Sequence, residues 1–134
     1  WSGNVSNTNL GYSFNGAKLL RNIFQNKLNF SRSLDQRVLF AGGSAGAEGL
    51  YPHVDWLDQH LKQNYAQSFE LVPIFDSGFF LDNKPFKQGD CHTLGTCTEQ
   101  GGLIRGVPLW HSVVDESCSK KYFGKNSWKC MLGA

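Results

Sequence analysis

The chain has no apolar run approaching the ~20 residues that a membrane-crossing helix needs. It has no excess of one charge: thirteen Lys and Arg stand against eleven Asp and Glu, a net +2 with the signs interspersed. That balance leaves no electrostatic footprint for nucleic acid. It lacks a P-loop and a dinucleotide fingerprint, so the two common phosphate-cradling glycine motifs are excluded. It lacks C-x-x-C, internal repeats, low-complexity tracts and charge runs, so neither a linker nor a second domain is indicated. At 134 residues it is at most one domain. The first residue is Trp1 rather than methionine and no charged-then-apolar leader is present, so the chain is expected to be the central segment of a larger protein.

What is present is concentrated at 40–46, Phe40-Ala41-Gly42-Gly43-Ser44-Ala45-Gly46. The apolar stretch 37–41 reads as a buried strand, G-x-S-x-G follows at once, and 48–63 reads as a helix. Strand, turn, helix is the context a nucleophile elbow requires. There a serine sits on a strained turn with its hydroxyl exposed, and small flanking residues admit a backbone path that side chains would block. Ser44 is the candidate nucleophile, and the N–H of Ala45 a candidate donor to the oxyanion of an acyl-transfer intermediate. The alternative is a glycine-rich turn with a bystander serine. The flanking strand and helix favour the elbow.

A serine needs a general base, normally a histidine oriented by a carboxylate, and α/β hydrolases carry them in the order Ser, Asp/Glu, His. Asp76, Asp82, Asp90 and Asp115 follow Ser44, as do His92 and His111, so chain order formally allows a self-contained Ser44–Asp76–His111 triad. Order alone is an easy condition to meet. Asp76 reads first as a structural carboxylate accepting backbone N–H bonds in its turn, and second as a substrate contact. Phe79 and Phe80 read as core aromatics, His111 as a surface or pocket-rim residue, and His53 and His60 as solvated or partly packed positions.

The pattern Ala17, Leu20, Phe24 and Leu28, widened by Leu19 and Ile23, predicts a helix over 16–29. Leu50, Val54, Leu57 and Leu61 space the face of the helix after the elbow, with Pro52 near its start. A second strand is predicted over 69–75, where Pro73 suggests an edge position or a bulge. Both strands read as buried on two faces, and the order gives a parallel α/β sheet with flanking helices. Residues 1–15 read as a surface loop, the glycine-rich 89–106 as a long loop, and 107–130 as short helical pieces.

Four cysteines fall in two close pairs, Cys91 with Cys97 and Cys118 with Cys130. In an extracellular chain they favour two local disulfides that pin the region 84–134. The Cys91-His92…Cys97 spacing is too loose for a zinc site, and no metal or other cofactor is expected. Two sequons, at Asn4 and Asn29, fit a glycosylated, secreted origin. Lys120, Lys121, Lys125 and Lys129 form the one basic concentration. It reads as a solvated face before a contact for an acidic polysaccharide.

Three ordered blocks resemble the pectin acetylesterase/Notum family: Gly42-Gly43-Ser44-Ala45-Gly46; Leu71-Val72-Pro73-Ile74-Phe75-Asp76-Ser77-Gly78-Phe79-Phe80-Leu81-Asp82-Asn83; and Pro108-Leu109-Trp110-His111-Ser112-Val113-Val114 with Cys118 and Trp128-Lys129-Cys130. The resemblance covers the whole chain. It implies a secreted α/β-hydrolase-fold serine esterase that removes acetyl groups from pectin or a fatty acyl group from a protein serine, here a partial fold incomplete at both ends. It implies Ser44 as nucleophile and Gly43, Asp76, Ser77, Phe79, Trp110 and His111 as pocket-lining candidates. It puts the catalytic acid and histidine downstream of Cys130, and part of the oxyanion hole upstream of Trp1. Gly43 stands where the family usually has Cys or Ser, Ala47 where it has Gly, and His111 where a small polar residue is common. These departures leave open a non-enzymatic alternative, an extracellular structural or assembly component that kept the scaffold. The partners expected are an acyl-ester substrate and the remainder of the same protein or a partner chain.

Overall fold

The computed structural model describes residues 2–6, 8, 11–30, 35–65, 69–83, 91–92 and 97–132. Helix α1 (Gly16–Asn26) leads to strand β1 (Gln36–Gly43), the short helix α2 (Ala45–Glu48), a 3-10 turn (Tyr51–His53) and helix α3 (Val54–Asn64). Strand β2 (Phe69–Asp76), helices α4 (Glu99–Leu109) and α5 (Glu116–Lys121), and a 3-10 segment (Gly124–Met131) follow. Strands β1 and β2 pair in parallel, Gln36 opposite Phe69 through to Gly43 opposite Asp76. Parallel strands need a helical crossover, which α3 supplies. The result is a partial α/β arrangement, a two-stranded parallel sheet with flanking helices among the described residues.

One core lies on one face of this sheet. Phe24, Phe40, Leu50, Leu57, Leu61 and Phe69 are buried together, with Leu20, Val38 and Leu71 packed against them. The rings of Phe24 and Phe40 meet edge-on at 5.8 Å, an arrangement aromatic quadrupoles favour. The opposite face carries Leu39 (63% exposed) and Ile74 (45%), and no described element covers them. Within the described residues the strands are covered on one face only. The alternating exposure along β1 is that of a sheet covered once. Pro73 stays in register opposite Phe40, so it marks an edge and not a bulge.

The helix expected over 16–29 stops at Asn26, and its buried stripe is narrower than predicted. Ala17 and Phe24 are buried, but Leu19, Ile23 and Leu28 are exposed. The single helix expected over 48–63 is instead three pieces, because Pro52 falls where the 3-10 turn re-aims the chain between α2 and α3.

The long loop expected over 89–106 is also corrected, since its second half is helix α4. The Thr98 hydroxyl accepts the Gly101 N–H and caps the helix. The glycines are there for proximity. A Cβ on Gly106 would lie 2.2 Å from the Trp110 ring, and one on Gly101 would lie 2.8 Å from the Cys91 sulfur. Leu103 and Val107 of this helix form a second core with Trp128, Met131 and Leu132, joined by Phe80 and Val114. Both expected disulfides, Cys91–Cys97 and Cys118–Cys130, are bonded. The N-terminal segment is tied down: Asn4 N–H donates to the Trp110 carbonyl at 2.9 Å and Val113 N–H to the Ser2 carbonyl at 2.8 Å.

Candidate active site

The covalent path from β1 to α2 turns within one residue. Ser44 holds φ 51° and ψ −123°, a left-handed conformation that a non-glycine residue adopts only under strain. Three contacts hold it there. Ser44 N–H donates to the Asp76 carbonyl at 2.8 Å, tying the end of β1 to the end of β2. Its own carbonyl accepts the Glu48 N–H at 3.1 Å, starting the next helical turn. Behind the turn the backbone passes so close that a Cβ on Gly42 would lie 2.5 Å from the Gly46 carbonyl oxygen. Gly42 is thus sterically required. Gly46 is not, since a Cβ there meets nothing within 4 Å.

Gly43, Ser44 and Ala45 are all exposed at the carboxyl end of β1, where open α/β sheets place their ligands. Asp76 and Ser77 lie beside them at the end of β2. Ser77 also has positive φ (52°), and its hydroxyl donates to the Asp76 carboxylate at 3.0 Å. Among the described residues the Asp76 carboxylate accepts the Ser77 hydroxyl, while its backbone carbonyl accepts the Ser44 N–H. Gly78 follows, and a Cβ there would lie 2.2 Å from the Ala47 Cβ, so this turn and α2 are in close contact. Tyr51 completes the buttress, stacking on Phe75 at 4.7 Å and donating its hydroxyl to the Gly78 carbonyl at 2.7 Å.

The remaining candidates separate. Phe80 joins the second core as expected, whereas Phe79 is 63% exposed, contrary to the core reading. Trp110 is half-buried against Gly106 and Phe14 and borders a cavity of about 340 Å³. His111 is exposed with φ 45°, and its backbone N–H donates to the Pro108 carbonyl at 3.2 Å. Among the described residues neither Asp76 nor His111 hydrogen-bonds the Ser44 hydroxyl. His53, expected to be solvated or partly packed, is completely buried, and His60 stacks on Trp56 at 5.3 Å. In the basic cluster Lys120 pairs with Glu116 and Lys129 with Asp82, which fits a solvated, self-neutralising face. Asn4 and Asn29 are both exposed, while Ser31, which completes the second sequon, and Asp90 lie outside the described residues.

Sequence reasoning passed over Glu48. One turn beyond Ser44, it lines the 340 Å³ cavity together with Ala45, Thr98, Glu99, Leu103 and Trp110. It is only 9% exposed, and its Oε1 has no hydrogen-bond partner among the described residues. Burial first, then the charge of Glu99 and the hydrogen bond to it, pushes the Glu48 carboxyl up from 4.5 to about 7. Burial and the Glu48 carboxyl also raise Tyr51. A second acid pair lies on the other side of α3. The Asp115 hydrogen bond raises Asp55; burial would raise Asp115 too, but hydrogen bonds from Ser117 and the Cys118 N–H hold it lower. The signal that could have found Glu48 is a carboxylate on the first helical turn after the elbow, on the side where small residues touch the next strand.

Parallel β–α–β connectivity with flanking helices is a partial α/β arrangement, and the whole chain, residues 1–134, matches the model of the pectinacetylesterase family. The chain belongs to that family. It is similar to proteins named palmitoleoyl-protein carboxylesterase: notum2 of Xenopus laevis (29% identical over 133 residues), NOTUM of Homo sapiens (31% over 134) and notum1a of Danio rerio (33% over 136). Each alignment covers 99% of this chain and 27% of the relative, so the chain spans about a quarter of their length.

Proposed function

We propose that this chain is the nucleophile-bearing, central segment of a single α/β-hydrolase domain, and that the protein is a secreted serine carboxylic-ester hydrolase. The observation that carries the reading is the backbone of Ser44. Its strained, exposed geometry between β1 and α2 has no structural need of a serine, since glycine would occupy it without strain. Ser44 Oγ attacks the ester carbonyl carbon while its proton passes to a base. The tetrahedral oxyanion takes a hydrogen bond from the Ala45 N–H, and the C–O bond to the alcohol breaks as the base passes its proton to the departing oxygen. Water then gives a proton to the base and attacks the acyl-serine, and the acid leaves as the base returns that proton to Ser44. The resemblance puts the base and its carboxylate downstream of Cys130 and the rest of the oxyanion hole upstream of Trp1.

Gly43, Asp76 and Ser77 would border the reacting ester, with Phe79, Trp110 and His111 further out. Two disulfides and the sequons at Asn4 and Asn29 support an oxidising, extracellular setting. No helix among the described residues is long and apolar enough to cross a membrane.

A fluorophosphonate probe tests the reading in the full-length protein. Labelling is expected at Ser44 and lost in Ser44→Ala. Labelling that survives that substitution would overturn the assignment. A folded, glycosylated protein that takes no label at all would favour the non-catalytic scaffold, for which the departures at Gly43 and Ala47 already speak.

A further inference from the structure

The strained turn at Ser44 adjoins a second one. Ser77, just past the end of β2, also has positive φ, 52° against 51° at Ser44. One bond joins the two turns: the Ser44 N–H donates at 2.8 Å to the carbonyl of Asp76, the residue before Ser77. A non-glycine residue stays in this region only where its surroundings over-determine it. On the other side of Ser77 stands Gly78, which is buried and whose carbonyl accepts the Tyr51 hydroxyl at 2.7 Å. Tyr51 opens the 3-10 turn that links α2 to α3. Its ring lies on Phe75, 4.7 Å between centroids and 21° between planes. Phe75 points to the same face of β2 as Phe69 and Leu71, the face the helices cover. The stack therefore fixes where the hydroxyl is delivered. A continuous set of contacts runs from Tyr51 through Gly78, Ser77 and Asp76 to Ser44.

We infer that Tyr51 is a positioning residue for the ester hydrolysis: its hydroxyl clamps the Asp76–Gly78 turn, and that turn holds the Ser44 backbone in the attacking conformation. The inference rests on the esterase reading and adds to it a residue that touches no substrate. If Tyr51 served packing alone, its ring would suffice, and phenylalanine would keep the stack on Phe75. If it acts through its hydroxyl, losing that one oxygen leaves a buried carbonyl without its donor. The turn then relaxes from the strained conformation of Ser77 and draws the Asp76 carbonyl away from the Ser44 N–H. Ser44 Oγ and the Ala45 N–H, which follow directly along the chain, lose their mutual alignment. A displacement of about 1 Å at a reacting group costs about 100-fold in rate, so a fraction of it costs about tenfold. The loss falls on the chemical step. Tyr51 does not border the 340 Å³ cavity beside the elbow, so substrate binding is spared.

The test compares full-length wild type, Tyr51→Phe, Ser77→Gly and the double variant at a temperature where all four are folded. Two quantities are measured: steady-state turnover of 4-nitrophenyl acetate and hydrogen exchange at the Ser44 N–H. Tyr51→Phe is expected to lower kcat about tenfold with KM within about twofold of wild type, and to speed Ser44 exchange about tenfold. Glycine adopts φ 52° without a clamp, so in the Ser77→Gly background the same substitution should cost less than about threefold in kcat. An unchanged kcat in Tyr51→Phe, a loss carried by KM, or an equal loss in both backgrounds overturns the inference. A wild type with no Ser44-dependent turnover overturns the esterase reading instead. The exchange rate then decides the clamp by itself: faster exchange at Ser44 in Tyr51→Phe upholds it, and an unchanged rate overturns it.

Discussion

Replacing Glu48 with glutamine should make the protein more stable at pH 8 and nearly unchanged at pH 5. In the folded state the carboxyl titrates at about 7, against 4.5 for an ordinary glutamate. Between those values the folded protein holds a proton that the unfolded chain has released, so folding stability from this group is fully present below 4.5 and lost as pH rises through 7. The sign is opposite to that of a salt-bridged carboxylate. At about 1.4 kcal/mol per pH unit the gap is worth about 3 kcal/mol, an upper figure because Glu99 shares the same proton. The cause is the 9% exposure of the side chain and the second acid facing it across the cavity, so the neutral amide removes the whole effect. Urea unfolding of wild type and Glu48→Gln at pH 5, 6, 7 and 8 measures it. The difference between the two midpoints should grow from pH 5 to 7 and level off by pH 8. Parallel curves, with the same offset at every pH, would refute the buried-pair argument, as would a wild type whose stability rises between pH 5 and 7.

Ser44→Gly should abolish fluorophosphonate labelling while raising stability by about 1 kcal/mol, because glycine adopts φ 51° without the penalty serine bears; a destabilised variant would mean the turn is unstrained. Gly78→Ala should destabilise by about 2–3 kcal/mol through overlap with the Ala47 Cβ, and Ala47→Gly in the same chain should restore most of it. Thermal melts of the two single variants and the double variant check this, and additive losses would show that the two turns are not in contact.

The elbow itself was legible in the sequence because everything that makes it is local. A strand, a turn and a helix start fall within a dozen residues, and short-range dihedral preferences report each one. The cysteine pairs were legible for the same reason, each closing a loop within one segment. What the sequence misreported depends on partners far along the chain. The glycines of α4 look like loop residues until Trp110 and the Cys91 sulfur are seen to need the space. Leu19, Ile23 and Phe79 look like core, yet hydrophobicity says only that a residue can be buried, and no described element covers them. His53 looks like a surface residue and is buried completely. Glu48 is the sharpest case. Its pairing with Glu99 joins positions fifty-one residues apart, and its shifted titration comes from burial and from Glu99 lining the same cavity. Sequence alone thus determined where the exposed serine of the strand-to-helix turn stands and how that turn is built. The tertiary structure decided what surrounds it, because burial and charge proximity arise only when distant elements meet.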